Sequence, residues 1–238
     1  MTSAFHEDFE VEARFLVDDS KKLEIETRLI IGSKVQRRAI VPKLQVNVLF
    51  DNLNDASIAC RLRWEGRVDR RTKDGRGFFP NSVRFTMKKH SDSFYEETGN
   101  NTGIRKRLEK EIIYDAAPVL AIDLLNFLGH REKHRYEALQ TENWESKISS
   151  CVLSVNFRKI PEIGWVFEIE ATRTLSVDFW KHKHELYSLT QVVERCVNDL
   201  GLSLNDATTE NMGQIYCRLR NKSKPPRQLI FDNIEEIL

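Results

Sequence analysis

The sequence predicts an α+β protein whose body is antiparallel sheet, and three observations carry that prediction. Stretches in which apolar and charged residues alternate recur along the chain, the signature of strands with one apolar face. Polar stretches and Gly- or Pro-containing turns separate them, as antiparallel connections require. A few segments switch to 3.6-residue spacing and end on glycine, as helices do.

Phe9 to Val17 places Phe9, Val11, Ala13 and Phe15 on one face and Glu10, Glu12 and Arg14 on the other, and reads as a strand. Asp19 or Ser20 caps a helix that runs through Leu23, Thr27, Ile30 and Ile31 to Gly32. Leu44 to Phe50, Ile58 to Trp64, Ser82 to Lys89 and Ile104 to Tyr114 return to period 2. Ala117 to Leu128, closed by Gly129, is helical, and Glu132 to Leu139, Cys151 to Ile160 and Trp165 to Arg173 are strands. Glu185 to Leu200, closed by Gly201, carries a stripe of Val192, Val193, Cys196, Val197 and Leu200 that reads as core packing. A last helix covers Thr209 to Leu219. With no internal repeat and no interior linker, residues 1–220 read as one domain. Residues 221–238 are an extension: a Pro225-Pro226 linker, then an acidic-apolar tail from Gln228 to Leu238 suited to dock on the body or on a protein partner.

Composition bounds the function. At 238 residues, 40% hydrophobic, the chain has material for a core, so wholesale disorder is excluded. Thirty-seven basic against 36 acidic residues leave a net charge of +1, which provides no global field for nucleic acid or an anionic membrane. A mean hydropathy of −0.48 without a long apolar run predicts a soluble protein that spans no membrane. The polar Met1 to Asp8 segment lacks the apolar core of a secretory signal, and the expected compartment is cytoplasmic. Cys60, Cys151, Cys196 and Cys217 form no Cys-x-x-Cys pair and read as reduced, buried thiols.

The charges are patterned. Glu10, Glu12 and Arg14; Arg61 and Arg63; Arg84, Thr86 and Lys88; Arg105, Arg107, Glu109 and Glu111; Lys133 and Arg135; and Glu168 and Glu170 each share one strand face. A half-buried sheet shows the same alternation with its charges in water. Two features favour an interior face instead: acidic and basic positions segregate, and the Ser, Thr and Gln of an ordinary wet face are scarce. Carboxylates at i and i+2 sit roughly 6 to 7 Å apart and suit a hard divalent cation. Guanidinium and ammonium groups on neighbouring strands suit a polyphosphate.

These motifs, in order, resemble the CYTH family, the triphosphate tunnel metalloenzymes, which include class IV adenylate cyclase and thiamine triphosphatase. Glu10-Val11-Glu12-Ala13-Arg14 is similar to the family's opening Glu-x-Glu-x-Lys signature. Phe50-Asp51, Arg61-Leu62-Arg63, Thr86-Met87-Lys88, Arg107-Leu108-Glu109-Lys110-Glu111, Lys133-His134-Arg135 and Glu168-Ile169-Glu170 follow, and Tyr216 resembles the closing Tyr-containing segment. The resemblance implies an eight-stranded antiparallel barrel closed into a tunnel, with helices packed outside. It implies divalent-metal-dependent hydrolysis of a triphosphate (inorganic tripolyphosphate, thiamine triphosphate, or a nucleoside or RNA 5′-triphosphate) with release of orthophosphate. The alternatives are adenylate cyclisation and a non-catalytic triphosphate-binding module. By the same resemblance Glu10, Glu12 and Glu170 hold Mg2+ or Mn2+, with Glu168, Glu109 and Glu111 as further metal ligands or as partners of the basic groups. Arg61, Arg63, Lys88, Arg107, Lys133 and Arg135 bind substrate, and Glu10, Glu12 and Arg14 make up the catalytic group.

The chain departs from that pattern at two places. Arg14 stands where the signature has Lys and, unlike Lys, accepts no proton at neutral pH. Ser154 and Asn156 stand near the position of a family Asp, so one carboxylate is missing. The basic stretch from Gly66 to Asn81, with Arg67, Arg70, Arg71, Lys73 and Arg76, reads as a solvated loop or as a lip for a larger substrate such as an RNA 5′ end. His130 and His134 do not make the His-Glu-x-x-His zinc pattern, and Walker, dinucleotide and Gly-x-Ser-x-Gly motifs are absent from the sequence.

Overall fold

The computed structural model describes residues 4–32, 36–38, 43–51, 58–67, 83–90, 103–114, 118–148, 151–160, 163–174, 183–210, 212, 215, 218 and 219. Most of the basic stretch 66–81 and the tail 220–238 lie outside the described residues. The strands are β1 (Ala4–Val17), β2 (Gln36–Arg38), β3 (Lys43–Asp51), β4 (Ile58–Arg67), β5 (Val83–His90), β6 (Ile104–Tyr114), β7 (Arg131–Ile148), β8 (Cys151–Ile160) and β9 (Gly164–Thr174). The helices are α1 (Asp19–Gly32), α2 (Pro118–Phe127) and α3 (Lys183–Asp199), followed by a 3-10 turn at Leu204–Asp206.

All strand pairings are antiparallel, in the order β2-β7-β3-β4-β5-β6-β1-β9-β8. β7 also pairs with β8. The α+β class with an antiparallel body is therefore as expected. Two elements differ from the sequence reading. β2 is too short to show a period, and β7 continues nine residues past Leu139 to Ile148, through polar residues in which alternation is lost. The cause is a register shift between Gln140 and Glu142, which interrupts the period while pairing with β8 continues.

The apolar face predicted for β1 and the apolar residues of β4, β5 and β9 that alternate with the charged ones lie on the outer, helix-covered face of the sheet. Phe9, Val11, Ala13 and Phe15 of β1, with Phe157 of β8 and Phe167 of β9, pack beneath Ile25 and Leu29 of α1 and Leu189, Val193 and Val197 of α3. The rings of Phe157 and Phe167 lie 4.7 Å apart at centroids, a tilted contact. A second cluster joins Val46, Val48, Leu62, Trp64 and Val83 to Ala121 and Leu125 of α2. The cap of α1 is Asp18, whose carboxylate accepts from Lys21 N at 2.7 Å, and not Asp19 or Ser20. Both α2 and α3 stop as their glycines predict: Gly129 and Gly201 take positive φ, and His130 N→Leu125 O and Leu202 N→Val197 O close paired C-terminal turns.

A third cluster lies on the charged face. Tyr136, Ala138, Ile160 and Val166 meet Met212 and Ile215, helical residues of the predicted last helix. Cys60, Cys151 and Cys196 are buried free thiols, and burial pushes Cys196 up to about 12, which keeps it protonated and inert.

Candidate metal and anion site

Antiparallel partners share a face, so the register determines which charges converge. Glu12 of β1 stands opposite Glu170 of β9 and Arg105 of β6, and Arg14 stands opposite Glu168. Arg61 of β4 stands opposite Thr86 of β5, and Thr86 opposite Glu111 of β6. This face is not in water: Glu10 is 0% exposed, Glu12 1%, Arg105 2% and Glu168 2%. Charges buried to this degree need opposite charges beside them.

The face surrounds a cavity of about 410 Å³ whose described lining is polar throughout, with Glu12, Glu168 and Glu170 on one side and Arg61 and Arg63 on another. Glu109, Glu111 and Arg14 also line it. Glu10, Glu12 and Glu170 each offer a carboxylate oxygen, and these oxygens lie within 4.8 Å of one another. Three hard oxygen donors at that separation fit Mg2+ or Mn2+, with water to complete the shell.

Glu168 does not belong to this trio because two arginines hold it. Arg14 Nε donates to its Oε1 at 2.8 Å, and Arg158 Nη1 pairs with Oε2. Burial raises the Glu168 carboxyl, but Arg158 and Arg14 outweigh it and bring it down to about 2. Arg14 also lies 2.6 Å from Glu12 Oε1 through Nη2 and donates to the backbone carbonyl of Glu210 through Nη1 at 3.1 Å. Arg105 Nη1 donates to the same carbonyl at 3.2 Å. The Glu210 carboxylate is in turn held by Arg218, so the segment after the 3-10 turn is tied to the acidic face.

On the opposite wall Arg63 Nε donates to Asn47 Oδ1 at 2.8 Å. Burial, then the charges of Arg61 and Arg158, lower the Arg63 guanidinium to about 9. Between the walls runs a chain of amides: Gln45 Nε2 donates to Glu65 Oε1 and Gln140 Oε1, and Gln140 Nε2 donates to Asn156 Oδ1 at 3.1 Å. Asn156, where a carboxylate was expected, thus serves as an acceptor for an amide.

Lys88 and Arg107 keep the register of this face, opposite Glu109 and Glu10 respectively, while their side chains lie outside the described residues. Lys133 and Arg135 do not join the cavity. Arg135 stands opposite Val48, an outer-face residue, and its guanidinium pairs with Glu132 at 2.8 Å. Lys133 is exposed, at a register shift in the β3–β7 pairing. The inward residues of this stretch are Tyr136 and Ala138, which join the apolar cluster on the charged face. Lys43, Arg84 and Arg158 line the cavity and were not singled out from the sequence as site residues. Arg158 was readable as the next same-face residue after Ser154 and Asn156.

No family model and no curated protein matches this sequence. Among solved structures, the PH1012 protein of Pyrococcus horikoshii OT3 superposes with a TM-score of 0.57 at 14% identity, covering 87% of this chain and 98% of that one. The PH1819 protein of the same organism gives 0.55 at 16%, covering 88% and 98%. A candidate adenylate cyclase from Vibrio parahaemolyticus gives 0.53 at 12%, again covering 88% and 98%. At these identities the likeness is one of fold: the chain shares with these proteins a helix-flanked antiparallel sheet.

Proposed function

We propose that this protein is a divalent-metal-dependent hydrolase that cleaves a triphosphate and releases orthophosphate. The observation that carries the reading is that Glu12 and Glu170, whose carboxylate oxygens converge with one of Glu10, share a polar cavity with the Arg61 and Arg63 guanidiniums. In this reading the sheet closes into a tunnel, supported by β7 pairing with β3 over Lys43–Asp51 and with β8 over Cys151–Lys159. Mg2+ or Mn2+ held by Glu10, Glu12 and Glu170 would neutralise phosphate charge and acidify a bound water. Arg61 and Arg63, with Lys88 and Arg107 by register, grip the phosphate chain and stabilise charge on the leaving oxygens. Arg14 is an electrostatic and positioning group, because a guanidinium tied to Glu12 and Glu168 is no proton acceptor. Glu168 is equally unsuited as a base, with its carboxyl at about 2.

Two readings compete with hydrolysis. Adenylate cyclisation in the same cavity is suggested by the fold shared with a candidate adenylate cyclase. A non-catalytic binding module is suggested by Arg14 and Asn156, which stand where a proton acceptor and a carboxylate were expected. A panel of tripolyphosphate, thiamine triphosphate, ATP and triphosphate-ended RNA, with Mg2+ or Mn2+, separates them. Orthophosphate release that is lost in Glu10→Ala and Glu12→Ala supports hydrolysis. Pyrophosphate with cyclic AMP indicates the cyclase, and binding without any product indicates the module. The tail 228–238 remains a proposed contact for a protein partner.

A further inference from the structure

We infer that Arg158 is a substrate-binding residue, which grips a phosphoryl group from β8 across the cavity from Arg61 and Arg63 of β4. This rests on the triphosphate reading of the site, and it assigns a residue that neither the motifs nor the comparisons supply.

The argument begins with topology. Strands β3 and β7 stand between β4 and β8, so three steps of about 4.8 Å place the two backbones roughly 14 Å apart along the sheet. Yet the charge of Arg158 is felt at Arg63, where it acts with Arg61 to lower the guanidinium. Both side chains line the same cavity, so the approach is made through it. Three guanidiniums from two non-adjacent strands therefore face one space. Like charges that share a cavity repel; Glu168 at Arg158 and Glu65, 3.9 Å from Arg63 Nη1, offset part of that repulsion, and an anion between the three would offset the rest.

Their hydrogen bonding points the same way. Among the described residues, Arg61 Nε, Arg63 Nη2 and Arg158 Nε are buried and have no acceptor. The remaining contacts hold the forks in place. Asn47 accepts from Arg63 Nε, Thr86 from Arg61 Nη2 at 3.3 Å, and Glu168 holds Arg158 through Nη1. Glu168 is shared with Arg14, and Glu170 and Glu12 also favour the Arg158 charge, yet none of them accepts from Arg158 Nε. The wall that expectation furnished with Lys133 and Arg135 carries neither in the cavity, and the cation on that side comes from β8.

The test is calorimetric titration with tripolyphosphate of the wild type, Arg158→Ala, Arg158→Lys and the outer-face control Arg135→Ala. A lost charge-assisted hydrogen bond predicts that Arg158→Ala binds about 10- to 100-fold more weakly. Arg158→Lys keeps the charge and falls between, and Arg135→Ala matches the wild type. If the wild type binds and Arg158→Ala binds equally well, this inference is overturned while the triphosphate reading stands. If the wild type neither binds nor cleaves any triphosphate, the reading itself falls and this inference with it. Should Arg158→Ala fail to fold, phenylglyoxal labelling of the wild type read by peptide mass decides: tripolyphosphate shields Arg158 if the inference holds, and equal labelling with and without it overturns it.

Discussion

Glu168→Gln is the substitution whose cost follows most directly from the structure. The carboxylate is 2% exposed and neutralises two guanidiniums, Arg14 and Arg158, through separate oxygens. Its carboxyl falls from 4.5 to about 2, which at 1.36 kcal/mol per pH unit corresponds to about 3 kcal/mol of stability. Removing one partner from a buried ion pair costs about 3–5 kcal/mol in general, and the two figures agree. For a chain of this length a loss of about 3–5 kcal/mol lowers the melting temperature by about 6–20 °C. The sign of the pH dependence is fixed by the depressed carboxyl. Its stabilisation is complete above the ordinary carboxylate value of 4.5 and is lost as pH falls toward 2. Urea unfolding of wild type and Glu168→Gln at neutral pH and again near pH 2 should therefore show a gap that narrows with acid. A gap under about 1 kcal/mol at neutral pH, or one that does not change with pH, refutes the reasoning.

Further outcomes follow from other contacts. Glu170→Gln should weaken Mn2+ binding, read by electron paramagnetic resonance, by at least about tenfold, since it removes one of three converging carboxylates. Phe157→Ala, fully buried against Phe167, should cost about 3–5 kcal/mol in urea unfolding. Gly103→Ala and Gly201→Ala both force a side chain to positive φ, worth about 1–2 kcal/mol each. Gly103→Ala should cost clearly more in the same assay, because its Cβ would lie 2.3 Å from the Leu204 carbonyl oxygen, whereas that of Gly201 meets the movable end of Arg28.

The acidic half of the site was readable because β1 and β9 keep period 2 without interruption, so Glu10, Glu12 and Glu170 fall together once the strands pair. Arg61 and Arg63 were readable for the same reason on β4. β7 was misread because its inward residues are the apolar ones, Tyr136 and Ala138, while Arg135 faces outward opposite Val48, the reverse of the neighbouring strands; the shift opposite Leu49 leaves Lys133 exposed. Lys133 and Arg135 consequently left the cavity, and Arg158 entered it from a strand that had drawn notice only for its missing Asp. Glu168 was open to two roles from the sequence, further metal ligand or partner of a basic group, and tertiary pairing decides for the second by bringing two arginines onto it.

The first strand sits between β6 and β9, so Glu12 meets Arg105 on one edge and Glu170 on the other. During synthesis its second neighbour emerges only after more than a hundred further residues have been made. Until then β1 holds an open hydrogen-bonding edge, and its two glutamates lack the third carboxylate. Chains released before Glu170 should therefore bind no metal at this trio and should pair edge to edge with one another, so that assembly of the acidic centre reports on the arrival of the last strand.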